Sequence, residues 1–100
     1  MNRAPTTMVV GILTVELHIP EAGSLKSKRS VVKGMKDRIR SRFNVSVAEV
    51  DNNDLWQRAT LGVACVSNDK AHAGEVLDKV VDLIRSNTSA ELMDYQVEIL

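Results

Sequence analysis

The chain has 100 residues, with 13 Lys and Arg against 13 Asp and Glu, a single Cys, and three aromatics within a 44% hydrophobic composition. This length suits one domain whose core needs no covalent staple, and a lone Cys65 excludes an internal disulfide framework. Disorder is not expected with 26% charged residues at this hydrophobic content, and zero formal net charge argues against a generally basic protein that coats nucleic acid or membrane.

Met1-Asn2-Arg3 and the apolar run from Met8 to Val15 imitate the start of a secretory signal. Glu16 and His18 interrupt that run, no small-residue cleavage site follows, and the stretch falls far short of the ~18 residues of a membrane span. Residues 1–7 therefore read as a flexible leader, with Met8 as an alternative start, and residues 8–100 as a single domain. A cytoplasmic location is expected, with no membrane partner. From Val9 the odd positions Val9, Gly11, Leu13, Val15, Leu17 and Ile19 alternate with Thr14, Glu16 and His18, the period of a strand with one dry face. Pro20 and Gly23 end it, and Ser24 is a good N-cap for a helix over 25–42 with a stripe of Leu25, Lys28, Val32, Met35 and Ile39. Asn44 closes that helix. A short Val-rich strand over 45–50, the turn Asp51-Asn52-Asn53-Asp54 and a second strand over 56–67 predict a hairpin.

Ser67-Asn68-Asp69 caps a second helix ending near Asn87, with Ala73, Val76, Leu77, Val80, Val81 and Ile84 on its buried side. The last segment alternates Met93, Tyr95, Val97 and Ile99 with Asp94, Gln96 and Glu98, a fourth strand. The order β-α-β-β-α-β predicts an α+β, ferredoxin-like fold: a four-stranded antiparallel sheet with two helices on one face.

Three segments carry a family resemblance: Ser24-Leu25-Lys26-Ser27-Lys28-Arg29, the run from Arg38 to Val50, and Leu55-Trp56-Gln57-Arg58-Ala59. With them the chain resembles the YlxP-like family of small uncharacterised bacterial proteins from about Met8 to Leu100. The resemblance implies a ferredoxin-like fold and, in many bacteria, a gene neighbourhood of translation initiation and ribosome-maturation factors. It implies no activity.

Charge is divided unevenly along the neutral chain. Residues 1–42 hold nine basic against three acidic residues, or +6, and residues 43–100 hold four against ten, or −6. Lys26, Arg29, Lys33, Lys36 and Arg40 follow 3-4-3-4 spacing and form one stripe, about 100° around the helix from its buried side. Five cations over roughly 20 Å are suited to a phosphate backbone. The expected function is a non-enzymatic, RNA- or ribosome-associated accessory role through this first helix, with sequence-independent contacts and no reading of DNA sequence. The stripe also fits a solvated face paired with Glu75, Asp78 and Asp82 of the second helix.

Lys28 falls where the buried stripe calls for an apolar residue. Either it snorkels past the sheet edge, or it joins Gly23, Ser24, Lys26 and Arg29 in an anion site at the helix start. That loop is also where similarly folded ACT regulatory domains bind amino acids, an analogy of fold alone. Pairing of the first and third strands brings Glu16 and His18 near Trp56 and Arg58 on the sheet face away from the helices. These residues suit a polar face or a homodimer contact anchored by Trp56 more than acid–base catalysis. No catalytic motif, metal-ligand spacing or phosphate loop is present, so neither an enzyme nor a cofactor is expected. Base stacking on the open face is not expected either, because Val10, Ile12, Thr14, Thr60, Gly62 and Ala64 occupy the central positions that RNA-reading sheets fill with aromatics.

Overall fold

A computed structural model describes residues 7–100, so all but Thr7 of the leader lies outside the described residues. The elements are β1 (Val9–His18), α1 (Leu25–Arg42), β2 (Ser46–Asp51), β3 (Arg58–Ser67), α2 (Lys70–Arg85) and β4 (Glu91–Ile99). The strands form one sheet in the order β2-β3-β1-β4, every neighbouring pair antiparallel. This is the ferredoxin-like βαββαβ arrangement.

Every odd residue of β1 from Val9 to Leu17 is buried, and every even one from Val10 to His18 is half-exposed. The dry positions of β1, Val47 of β2, and Ala59, Leu61, Val63 and Cys65 of β3 share one core with Val32, Met35 and Ile39 of α1 and Ala73, Leu77, Val80 and Ile84 of α2. Both helices therefore cover the same face. Lys28 is buried with α1's apolar residues, so the stripe read from 3.6-residue periodicity is the one the fold uses. Leu83 is buried beyond the expected set of α2, while Val76 is only half-buried.

The start of β3 and the register of β4 depart from expectation. β3 begins at Arg58, not Trp56, because the loop before it is fastened to the β1–α1 connection: Ile19 N–H donates to Gln57 O at 2.8 Å, and Gln57 Nε2 donates to Pro20 O at 3.1 Å. In β4 a register shift sets Asp94 opposite Glu16 but Leu92 opposite Leu17. Leu92 thus takes the helix-side place that strict alternation gave to Met93, which is bulged out and exposed.

Candidate functional site

Ser24 begins α1 in extended backbone, and its Oγ accepts from Ser27 N–H at 3.0 Å. In return, Ser27 Oγ accepts from the amides of Ser24 and Gly23 at 3.2 and 3.1 Å, a capping box that occupies donors at the helix start. Lys28, the third cation of the expected anion site, faces inward. Its Nζ donates to Glu49 Oε2 at 2.8 Å and to the carbonyls of Asn52, Asn53 and Arg58 at 2.9, 3.1 and 3.3 Å. The side chain is fully buried, so it neither snorkels to water nor joins the outer stripe. Regular alternation in β2 puts Glu49, opposite Leu61, on the same helix side as buried Val47, while the loop after β2 presents the carbonyls of Asn52 and Asn53 and the start of β3 that of Arg58.

Lys26, Arg29, Lys33 and Arg40 stand exposed along α1, Lys36 is half-buried, and Arg38 and Arg42 add two further exposed cations. Lys33 Nζ meets Asp37 Oδ2 at 2.9 Å, and Arg40 Nη1 lies 3.8 Å from Asp37 Oδ1 while its Nη2 donates to Val47 O at 2.9 Å. The hydrogen bond from Lys33, followed by the charges of Lys33, Arg40 and Lys36, holds the Asp37 carboxyl below its ordinary value. Among the described residues, Glu75, Asp78 and Asp82 form no ion pair with α1. Arg42 and Asp82 line one shallow cleft between the helices without meeting. Among the described residues, then, Asp37 is the one acidic group that pairs with the exposed cations of α1.

On the opposite face of the sheet, His18 pairs across with Arg58 and Glu16 with Thr60. Trp56 lies in the loop beside them, half exposed, in a shallow depression with His18, Leu55, Gln57 and Arg58. Asn52 Nδ2 donates to Thr60 Oγ1 at 2.8 Å, and Thr60 Oγ1 donates to Glu16 Oε2 at 2.7 Å, a polar chain that no sequence motif announced. Asn52 reaches Thr60 from a left-handed backbone, φ 60°, which asparagine adopts more readily than most residues. His18 Nδ1 turns to Glu91 Oε2 at 3.4 Å, so Glu16, His18 and Arg58 are not drawn into one acid–base constellation. The other half of this face is apolar: Ile12, Ala48, Val50, Gly62 and Ala64 line an open groove of about 340 Å³. Among the described residues no cluster of His, Cys, Asp or Glu suited to a metal is formed, and no helix is long and apolar enough to cross a membrane.

Fold and surface together define a small ferredoxin-like α+β domain with one strongly cationic helix. The chain belongs to the family described as Protein of unknown function (DUF503), which it matches over residues 10–97. It is 38% identical over 78 residues to the "Uncharacterized protein YlxP" of Bacillus subtilis (strain 168), covering 78% of this chain and 85% of that one. Among solved structures it is similar to the de novo designed protein Foldit4, with a TM-score of 0.54 at 13% identity over 93% of this chain and 96% of that one, a likeness of fold. A crystallised C-terminal segment of the alpha subunit of aIF2 from Pyrococcus abyssi gives a TM-score of 0.48 at 15% identity, over 93% of this chain and 49% of that one.

Proposed function

We propose that the protein is a non-enzymatic accessory factor that associates with RNA, in the setting of ribosomal particles, through the outer face of α1. The observation that carries this reading is the set of exposed cations on α1, whose one acidic neighbour within ion-pair reach among the described residues is Asp37. An unneutralised row of this kind is a strong attractor for a phosphate backbone, because each contact releases condensed counterions. Lys26, Arg29, Lys33 and Lys36 supply contacts, and Arg40, partly held by Val47 O, supplies a fifth in a more fixed position. Lys28 has no part in it. The contacts carry no base readout, so selectivity comes from RNA shape or from a protein partner.

The test is co-sedimentation with purified ribosomal particles, together with filter binding to structured RNA, across salt. Four to five phosphate contacts give a slope of log K against log salt of about −3 to −4, a loss of roughly 60- to 250-fold between 50 and 200 mM. Changing Lys26, Arg29, Lys33 and Lys36 together to Glu abolishes retention. Retention indifferent both to salt and to this substitution refutes the reading.

A further inference from the structure

We propose that the protein self-associates through the free edge of β4, two copies pairing antiparallel about Val97 to form one continuous eight-stranded sheet. The backbone of β4 shows which groups are available. Val10 and Leu100 exchange both of their backbone hydrogen bonds, at 3.2 and 2.8 Å. In an antiparallel ladder the bonded pairs alternate, so Glu98, Gln96 and Asp94 bond inward to β1, while the N–H and C=O groups of Ile99, Val97 and Tyr95 point outward. Among the described residues no strand lies beyond them. Two of the usual protections of an edge, Lys and Pro, are absent from Glu91–Ile99, its bulge at Met93 lies before the outward-bonding segment, and its charged residues there, Asp94 and Glu98, alternate with the outward-bonding Tyr95, Val97 and Ile99. The other edge, β2, is shorter and carries its register shift near its end, between Glu49 and Asp51.

Charge selects the register. A two-fold axis at Tyr95 draws the Met93 bulge into the pairing and sets Leu92 opposite Glu98 of the second copy. An axis at Gln96 sets Asp94 opposite Glu98, like charges face to face. An axis at Val97 pairs Tyr95 with Ile99, Val97 with itself and Gln96 with Glu98, with no like-charge pair. The outward groups of Tyr95, Val97 and Ile99 then all find partners.

The surface above the edge is self-complementary about the same point. Tyr95 and Val97, 38% and 41% exposed, lie on the helix side of β4, where a second copy covers them. Arg85 of α2 stacks on Tyr95 at 5.4 Å, and Asp78 lies seven residues earlier, two turns along the same side of that helix. At the other end Ile99 pairs with Gly11, which packs under Leu77. The two-fold at Val97 therefore carries Asp78 of each copy towards Arg85 of the other. The open sheet face is the poorer contact, because besides its apolar groove it carries Glu16, Arg58, Asp94 and Glu98, whose charges packing would desolvate. Edge pairing leaves both α1 helices exposed on one face of the doubled sheet.

Sedimentation velocity of the full chain from micromolar to millimolar concentration tests the proposal, with the 11.0 kDa monomer and a species of twice that mass as the two reference states. Wild type is expected to shift to the dimer as concentration rises. Val97→Lys, which opposes two cations at the axis, and Val97→Pro, which deletes an outward donor unused within the chain, are expected to weaken the dimer at least tenfold. Gln96→Lys, facing Glu98 of the second copy, is expected to strengthen it. Far-ultraviolet circular dichroism confirms that each variant is folded, and in wild type the outward amides of Tyr95, Val97 and Ile99 exchange more slowly at high than at low concentration. A monomer throughout the range overturns the proposal. So does a dimer that survives Val97→Lys and is instead lost with Val50→Asp or Trp56→Ala, which would place the contact on the open face.

Discussion

Replacing Lys28 with Met keeps an apolar stem of the same length, with sulfur in place of Cδ, and removes the Nζ ammonium. Lys28 is the largest fully buried side chain in the protein, and its loss strands Glu49, whose side chain is 12% exposed, together with the carbonyls of Asn52, Asn53 and Arg58. Deleting one member of a buried pair costs about 3–5 kcal/mol, because the other charge stays desolvated; the partial access of Glu49 to water places this case at about 3–4 kcal/mol. In a domain of this size each kcal/mol moves Tm by about 4–8 °C, so Lys28→Met should melt roughly 12–30 °C below wild type. Urea and thermal unfolding of Lys28→Met, Glu49→Leu and the double variant form a cycle. The double variant should be less impaired than the sum of the two singles, with a coupling of at least about 1.5 kcal/mol. At a temperature where Lys28→Met is still folded, its RNA retention should equal that of wild type, which separates Lys28 from the outer stripe. A Lys28→Met variant within about 1 kcal/mol of wild type refutes the reasoning, since Nζ would then not be holding the β2–β3 loop.

Gly11→Ala would place a Cβ 3.0 Å from both Cys65 Sγ and Leu77 Cδ1 in the core, and should lose about 1–3 kcal/mol in urea unfolding. Gly62→Ala meets Val50 Cγ1 at 2.9 Å, but that side chain is 58% exposed and can turn away, so its midpoint should fall less than that of Gly11→Ala. Ser24→Ala removes the acceptor for Ser27 N–H and should cost about 1 kcal/mol, read from the same denaturation curves. The Asp37 carboxyl, followed by NMR, should titrate below its ordinary value near 3.8, chiefly through the Lys33 hydrogen bond. Because the folded value is the lower one, its contribution to α1 is present above about pH 3.8 and is lost as pH falls through the lowered value; Lys33→Gln should return the titration towards normal.

The alternation of β1, the Ser24 cap, and the periodicities of α1 and α2 made the architecture legible, because each is a local pattern that matches the geometry of its own element. The cationic row was legible for the same reason: 3-4-3-4 spacing fixes a helix face whatever that helix packs against. Met93 misled because a bulge changes parity, and alternation alone does not reveal where a strand bulges. Local pattern extends β3 back to Trp56, whereas long-range bonds from Ile19 and Gln57 hold that segment as loop.

Local sequence pattern is enough for the order of elements, the dry faces of β1, β3 and both helices, and the separation of charge into +6 and −6 segments. Tertiary structure decided what those charges meet. Lys28 and Glu49 are 21 residues apart and become partners because the pairing of Glu49 with Leu61 of β3 turns it towards the start of α1, while Glu75, Asp78 and Asp82, 35–56 residues from the stripe's cations, form no pair with them among the described residues. The physical reason is that a side chain's direction follows from its local period, whereas its partner is set by strand register and helix placement, which the whole chain fixes together.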